Sequence, residues 1–170
     1  MLTNKVLRLN RDELRTPAIP VTQESIAYVI QAVVPKMIEV MRKEKGLGLA
    51  ANQIGDIHQV FVLEMEGEQP QTFINPEVLE ESDLVDHVEA CLSIPGTSAT
   101  VKRFNKLKLR YLDESMTSQE VSLEGIKAIA VQHEVDHLSG LLYIDHLGDT
   151  SRMFCLNKHK KFVKFSSRMR

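Results

Sequence analysis

The sequence contains no tryptophan and only two cysteines, and aromatic residues make up 5% of its 170 positions. Its hydrophobic core is therefore predicted to consist mainly of Ile, Leu, Val and Met side chains. No apolar run approaches the roughly 20 residues that a membrane-spanning helix needs. The first ten residues, MLTNKVLRLN, lack the apolar stretch of a signal peptide. We therefore predict a cytoplasmic protein without a membrane partner.

Length and composition are those of an ordinary globular domain. The hydrophobic share of 43% and the charged share of 26% are typical of such proteins, and 170 residues fit one domain. We predict a single domain over residues 1–170. Cys91 and Cys155 are predicted to be free thiols or a metal ligand rather than a disulfide, because the cytoplasm is reducing.

Charge is distributed unevenly along the chain, although the net charge is only −2. No acidic residue follows Asp149. The basic residues beyond it are Arg152, Lys158, Lys160, Lys161, Lys164, Arg168 and Arg170. This asymmetry indicates a C-terminal segment attracted to polyanions; the alternative is the solvated face of a helix.

The pattern of apolar residues predicts helices at both ends of the chain and strands between them. Apolar residues at helical spacing predict a first helix over 24–45, bent at Pro35 and ended by Gly46. HQVFVLEM (58–65) is typical of a strand. Further strands are predicted at 71–79, 84–90, 98–112 and 119–124. Two more helices are predicted, from Gly125 to Leu138 and over about 150–165. This order favours the α+β class.

The stretch QHEVDHLSG (132–140) carries the chemistry of greatest interest. His133 and His137 are four residues apart, so they lie on one face of the predicted helix, shared with the apolar Ile126 and Ile129. Two imidazoles one turn apart can hold one metal ion, and Glu134 between them can contact a water molecule as a general base. The alternative is a pair of hydrogen-bonded histidines on an exposed helix.

A catalytic metal usually takes a third protein ligand. The candidates are Cys91, Cys155, His87, Asp145, His146 and His159. Cys91 precedes a turn in EACLSIP, where a loop can present a thiolate. Cys155 falls in the last helix, where a buried inert thiol is the commoner role. Spacing alone does not choose among the six.

Three stretches together resemble the peptide deformylase family. They are GLGLAANQ (46–53), EACLS (89–93) and QHEVDHLSG (132–140), and the INPE of 74–77 fits as well. The resemblance covers nearly the whole chain. It implies a metal-dependent hydrolase that removes the formyl group from the N-terminal formyl-methionine of nascent polypeptides and releases formate. The expected fold has antiparallel β-sheets packed around a central HExxH helix, with an N-terminal and a C-terminal helix.

The resemblance also implies a role for each matching residue. The implied metal ligands are Cys91, His133 and His137. Glu134 is implied as the general base and acid. Gln53 and the backbone N–H of Leu92 are implied as donors to the substrate carbonyl oxygen. The implied metal is Fe²⁺, with Zn²⁺, Ni²⁺ or Co²⁺ as possible replacements.

Substrate binding requires an apolar pocket for methionine. Ile129 and Ala130, one turn before His133, are expected to line it together with Leu47; the alternative for Ile129 is an ordinary core position. Gly46 and Gly48 allow close approach of a backbone, which the resemblance assigns to the bound peptide.

Two further features surround the EACLS motif. Ala90 replaces the glycine of the usual family motif EGCLS, so a positive φ there would add about 1 kcal/mol or more of strain. Its methyl group is also expected to narrow the cleft. Glu89 is expected to pair with Arg103, and the alternative is a surface contact of little energetic value.

The basic C-terminal segment acquires a possible partner from the same resemblance. Some bacterial deformylases dock a C-terminal helix near the ribosomal exit tunnel, and the lysines of this segment are expected to contact RNA phosphates similarly. The side chains expected to hold the helix on the protein are Met153, Phe154, Leu156 and Phe162.

Two other kinds of protein fit part of this pattern. A small zinc peptidase would also use HEVDH, but with a histidine or carboxylate as third ligand instead of Cys91. A catalytically silent metal protein attached to ribosomes would need neither Gln53 nor Glu134, so the presence of both argues against it.

Overall fold

The computed structural model describes residues 2–168. Five strands follow the first helix: β1 (Gly48–Ala50), β2 (Val60–Leu63), β3 (Gln71–Glu89), β4 (Ala99–Leu112) and β5 (Ser118–Glu124). The first helix, α1, has three consecutive segments, Ile26–Tyr28, Val29–Val33 and Val34–Lys43. Helix α2 is Ile126–Leu138, and helix α3 is Asp149–Arg168. Short 3₁₀ turns occur at Asp12–Arg15, Ala51–Ile54 and Tyr143–His146. The predicted α+β class is confirmed.

The strands form one antiparallel sheet in the order β1-β2-β3-β4-β5. All four residues of β2 are buried. Since successive side chains of a strand point to opposite faces, both faces of the sheet are covered at β2. Val60 and Val62 pack in a cluster with α1, whereas Phe61 and Leu63 pack in a cluster with α2. The sheet is therefore covered by α1 on one side and by α2, the helix that carries His133, on the other.

Pro35 lies inside α1, as predicted, and the helix accommodates it by a change of winding. The segment Val29–Val33 immediately before it is π-helical, and regular α-helix resumes at Val34–Lys43. Proline has no N–H to donate and crowds the preceding turn, and a π-helical turn is a common way to absorb such a mismatch. The apolar face of α1 remains continuous, with Val33, Met37 and Met41 buried.

One prediction about the strands was wrong. The stretches 71–79 and 84–90 were expected to be separate strands, but β3 runs without interruption through Gln71–Glu89 and pairs with β4 in a long hairpin. Irregular register near 74–80 accommodates Pro76 within it. Within GLGLAANQ (46–53), Gly48–Ala50 form strand β1, and the 3₁₀ turn Ala51–Ile54 follows directly.

Two of the four residues expected to hold helix α3 do contact the protein: Leu156 packs against a buried cluster, and Phe162 lies against Gly96. Met153 and Phe154 are 62% and 60% exposed, so the prediction that they anchor the helix was wrong. The buried side chains are Cys155 and His159, one turn apart. Sγ of Cys155 contacts Ser98 O at 3.8 Å, and Nδ1 of His159 donates to Pro95 O at 2.9 Å. Among the described residues, no helix is both long and apolar enough to span a membrane.

Candidate active site

Three potential metal-binding side chains converge from two parts of the fold. Cys91 follows the end of β3, and His133 and His137 lie one turn apart on α2. One ligand atom from each lies within 4.8 Å of the others. Sγ of Cys91 is 3.2 Å from Nε2 of His137, and the two imidazole centres are 5.0 Å apart. The hairpin β3–β4 thus places a thiol opposite the histidine face of α2.

The charges of these groups are strongly coupled. Burial raises the pKa of the Cys91 thiol, but His137 and His133 beside it lower the pKa by more, so that it falls well below its ordinary value. Burial lowers the pKa of His133, but Cys91 and Glu89 raise it by more. The site therefore favours a thiolate at position 91, which is the form that binds metals.

Glu89 determines which nitrogen of His133 faces the site. Its Oε2 lies 2.7 Å from Nδ1 of His133, so Nδ1 carries the proton and Nε2 is the nitrogen left for a metal. Burial raises the pKa of Glu89, but hydrogen bonds from His133 and Arg103 outweigh this and lower it to about 2. The carboxylate therefore stays ionised and holds the imidazole in one orientation.

Arg103 pairs with Glu89 as expected, but not at the surface. Both side chains are 5% exposed, and Nε of Arg103 lies 2.6 Å from Oε1 of Glu89. Nη1 of Arg103 also contacts Oδ2 of Asp136 at 2.7 Å, and His146 contacts the same Asp136 oxygen at 2.7 Å. Sequence reasoning missed this extension. The only available signal was the position of Asp136 beside His137 in the motif.

The remaining candidates for the third ligand lie elsewhere. Asp145 pairs with Arg15 and Arg152, and His146 pairs with Asp136. Cys155 and His159 anchor α3, as described above. His87 lines the cleft but is not part of the Cys91–His133–His137 group. Among the described residues, only that group meets the geometric requirement for a metal site, so the carboxylate or third histidine of a zinc peptidase is not found there.

Glu134 is buried at the site, with 4% exposure. Its Oε2 has no hydrogen-bond partner in the protein. Burial raises the pKa of this carboxyl to about 7, although His133 and His137 oppose the change. Gly48 of β1 lies against it, since a Cβ at that position would be 2.5 Å from Oε1 of Glu134. The glycine thus makes room for the carboxylate, a reason distinct from the substrate approach predicted for it.

Gln53 presents the donor end of its amide to the site. Its Oε1 accepts from the N–H of Ala50 at 2.9 Å, which leaves the NH₂ group to face Ser93 Oγ at 3.2 Å and Cys91 Sγ at 3.8 Å. Leu92 follows Cys91 directly. Its carbonyl oxygen accepts a hydrogen bond from Nη1 of Arg8. Its side chain packs beside Gly46, where a Cβ would lie 2.7 Å from Cδ1 of Leu92.

A cleft of about 920 Å³ opens onto these groups. All of the residues expected at the substrate pocket line it: Leu47, Gly48, Ala90, Ile129 and Ala130. Ile129 is nonetheless only 6% exposed. Ala90 is not among the residues with positive φ, so the alanine adds no backbone strain. Its effect is limited to the space that its methyl group occupies.

Three apolar residues of the cleft were not anticipated. Ile126, expected to be buried with the histidines, is 45% exposed at the cleft. Phe162 and Val163 reach the cleft from α3. The sequence predicts that Phe162 contacts the protein, but nothing in the local sequence indicates which part of the protein this face of the helix meets.

The residues present fit a divalent transition metal. One thiolate and two imidazoles suit Fe²⁺ and Zn²⁺, the tautomer of His133 is fixed by Glu89, and an unpartnered carboxylate oxygen of Glu134 lies beside the group. An α+β fold with this arrangement on an HExxH helix defines a metal-dependent hydrolase.

Comparison with known proteins gives the family. The family model described as polypeptide deformylase matches residues 3–153. Peptide deformylase 2 of Xanthomonas campestris pv. campestris is 37% identical over 163 residues, covering 94% of this chain and 95% of that protein. Peptide deformylase 1 of Clostridium perfringens is 43% identical over 141 residues, covering 82% and 95%. A peptide deformylase crystal structure from Legionella pneumophila superposes with a TM-score of 0.87 at 33% identity, covering 96% of each chain.

The chain belongs to the polypeptide deformylase family. It is therefore an enzyme, a metal-dependent hydrolase that removes the formyl group from the N-terminal formyl-methionine of nascent polypeptides and releases formate. The resemblance stated from the sequence is confirmed.

Proposed function

We propose that Cys91, His133 and His137 hold the resident metal ion of this deformylase and that the ion is Fe²⁺, with Zn²⁺, Ni²⁺ or Co²⁺ able to replace it. The observation that carries the proposal is the approach of one ligand atom from each residue to within 4.8 Å of the others. Such an ion supplies Lewis acidity, which acidifies a water molecule and polarises a carbonyl group.

Glu134 is the general base and acid of the reaction. Its unpartnered, buried Oε2 supports this role, because a carboxylate without a protein partner is available to a water molecule in the cleft. A pKa raised to about 7 by burial also suits a group that accepts a proton and returns it to the leaving amine near neutral pH. Gly48 leaves the space that the carboxylate occupies, because a Cβ at position 48 would lie 2.5 Å from Oε1 of Glu134.

Gln53 and the N–H of Leu92 stabilise the negative charge that develops on the formyl oxygen. The bond from Ala50 N–H to Oε1 of Gln53 orients the amide so that its NH₂ group faces Cys91. A donor fixed in this way needs no reorganisation as charge develops, and loss of one such donor typically costs about 10²–10³ in kcat.

The substrate backbone has two strand edges available in the cleft. β1 is the outer strand of the sheet, and the end of β3 near Val88 pairs with β4 on one side only. An extended peptide can add to such edges through backbone hydrogen bonds. The methionine side chain then occupies the apolar part of the cleft formed by Leu47, Ile129 and Ala130, with Gly48 and Ala90 on the adjacent backbone.

The enzyme acts in the cytoplasm, and α3 docks it on the ribosome. The face of α3 opposite Cys155 and His159 carries lysines and has no acidic residue beyond Asp149. Phosphate contacts by these lysines would make binding strongly salt-dependent. Replacing Lys160, Lys161 and Lys164 by glutamine should weaken ribosome binding and reduce its salt dependence, whereas the same change at Lys102 and Lys106 of β4 should not. Equal affinity of all variants would refute the docking role.

Formate release from formyl-Met-Ala-Ser tests the function directly. The purified protein loaded with Fe²⁺ under anaerobic conditions should release one formate per peptide. The Cys91→Ser variant should lose both metal and activity, because a neutral hydroxyl is a poor replacement for a thiolate ligand. Full metal occupancy in that variant would remove Cys91 from the ligand set, and the absence of formate from the parent enzyme would refute the activity.

A further inference from the structure

Helix α3 forms one wall of the cleft that opens onto the Cys91–His133–His137 group. Its first half is anchored by Cys155 and His159 on the loop between β3 and β4. Residues 162, 163 and 166 continue the same face, because they follow at helical spacing. Phe162, Val163 and Ser166 line the cleft together with Cys91 and Glu134.

The ring of Phe162 is held in a defined place by Gly96. A Cβ at Gly96 would lie 2.3 Å from Cγ of Phe162, so the ring lies directly against the glycine backbone. Gly96 has a φ of 81°, which glycine adopts without strain. The bond from His159 to Pro95 O lies one turn earlier on the helix and next to Gly96 on the loop. The ring of Phe162 therefore packs on the backbone of the β3–β4 loop beside the cleft.

The cleft surface around Phe162 is apolar and accessible. Phe162 and Val163 are 43% and 45% exposed, and Val88 at the end of β3 is 64% exposed. These three residues line the same cleft as the catalytic groups. An extended peptide advances about 3.3 Å per residue, so a substrate whose formyl group lies at Cys91 and Glu134 places its later residues farther along the cleft.

We propose that Phe162 and Val163, with Val88, form an apolar subsite for the side chains that follow the formyl-methionine. This inference rests on the proposed binding of the peptide along β1 and β3. It adds a preference for apolar residues after the formyl-methionine. The C-terminal helix then has two roles on two faces: the face with Phe162 selects among nascent chains, and the lysine face contacts the ribosome. Peptides with apolar residues after the methionine bind better than peptides with small polar ones.

The test compares three substrates, formyl-Met-Ala, formyl-Met-Ala-Ser-Ser and formyl-Met-Ala-Leu-Leu. The parent enzyme should have the lowest KM for the leucine peptide. Phe162→Ala should lower kcat/KM for that peptide about tenfold, mainly through KM, because the lost contact is a binding contact and not a transition-state contact. The effect on formyl-Met-Ala should be less than about twofold. Val163→Ala should act in the same direction and more weakly.

Phe165→Ala is the matched control, because Phe165 lies on the same helix, is 65% exposed and does not line the cleft. It should leave the preference for leucine unchanged. Circular dichroism and thermal unfolding of each variant establish that α3 remains folded. Calorimetric binding of the product Met-Ala-Leu-Leu gives a readout that does not require turnover, and Phe162→Ala should weaken it by a similar factor.

Two results would overturn the inference. One is an equal loss for all three substrates in Phe162→Ala, which would mean that the helix acts on the whole site and not on the later residues. The other is an unchanged leucine preference in Phe162→Ala and Val163→Ala. If the parent enzyme releases formate from none of the peptides, the proposed function fails, and calorimetry with Met-Ala-Leu-Leu still decides whether the subsite exists.

Discussion

Nδ1 of His133 lies 2.7 Å from Oε2 of Glu89, and this contact joins the metal group to a buried network of charges. A hydrogen bond at Nδ1 fixes the orientation of the ring and makes Nε2 a better ligand. Replacing Glu89 by alanine should therefore weaken metal affinity by about 10–100-fold. The measurement is metal content after dialysis against a graded chelator. Asp86→Asn is the control, because Asp86 is an exposed residue of the same strand paired with Lys102; equal metal loss in both variants would contradict the role of Glu89.

Arg103 compensates the buried carboxylate of Glu89 and the half-buried carboxylate of Asp136. Arg103→Met should leave both without their cation and lower the free energy of unfolding by about 3–5 kcal/mol. Denaturant unfolding of the metal-free protein measures the change without the contribution of the ion. Arg110→Met is the control, because Arg110 pairs with Glu77 and Glu120 on the exposed part of the sheet. It should cost no more than about 1 kcal/mol. Similar losses of unfolding free energy in Arg103→Met and Arg110→Met would contradict a larger contribution from the buried ion pair of Arg103.

Gly48 lies where any side chain would displace the carboxylate of Glu134. Gly48→Ala should therefore lower kcat strongly while the metal remains bound, because the ligand residues themselves are untouched. Steady-state kinetics together with metal analysis measure both effects. Gly148→Ala is a suitable control, since a Cβ at Gly148 meets no atom within 4 Å. Full activity in Gly48→Ala would mean that the position of Glu134 is not critical.

Glu134→Gln separates proton transfer from metal binding. The amide has nearly the shape of the carboxylate but accepts no proton at neutral pH, so kcat should fall by about 10²–10⁴. Metal content should be unchanged, because Glu134 lies outside the ligand group. An active Glu134→Gln enzyme would assign the general base to another residue.

Asp145 gives the fold a pH dependence that is independent of the metal group. Burial raises its pKa, but hydrogen bonds from Arg15 and from Leu142 N–H lower it by more. A carboxyl whose pKa is lower in the folded state stabilises the fold above its unfolded pKa, and this stabilisation is lost as pH falls through the folded pKa. Asp145→Asn should therefore flatten the acid side of the stability profile below about pH 4. Denaturant unfolding of the parent protein and of Asp145→Asn at pH 7 and at pH 3 gives the free energy of unfolding. An equal loss of stability between the two pH values in both proteins would contradict this role of Asp145.

The sequence was most informative where the chemistry lies on one regular element. The helical repeat alone predicts that His133 and His137 lie on one face of α2, with Glu134 next to the first of them. Cys91 joins them from a loop at the end of a hairpin, a contact between distant parts of the chain that no local pattern encodes; the family resemblance supplied it.

Other features depend on tertiary contacts and could not be predicted. The length of β3 was missed because the polar run EESD (80–83) separates the two predicted strands, yet β3 continues through it and pairs with β4. The anchors of α3 were misjudged because Phe154 is the more apolar residue, yet burial is set by which side chains face the β3–β4 loop. Cys155 and His159 satisfy their polar atoms there, and Phe162 reaches the cleft only because Gly96 leaves it room.

The central claim is that the sulfur of Cys91 shares one divalent ion with the two imidazoles. X-ray absorption spectroscopy at the metal edge of the loaded enzyme tests it most directly, with zinc as the reference metal. The account predicts one sulfur neighbour at about 2.3 Å and two nitrogen neighbours at about 2.0–2.1 Å, with the sulfur signal lost in Cys91→Ser. A first shell made only of nitrogen and oxygen in the parent enzyme would contradict it.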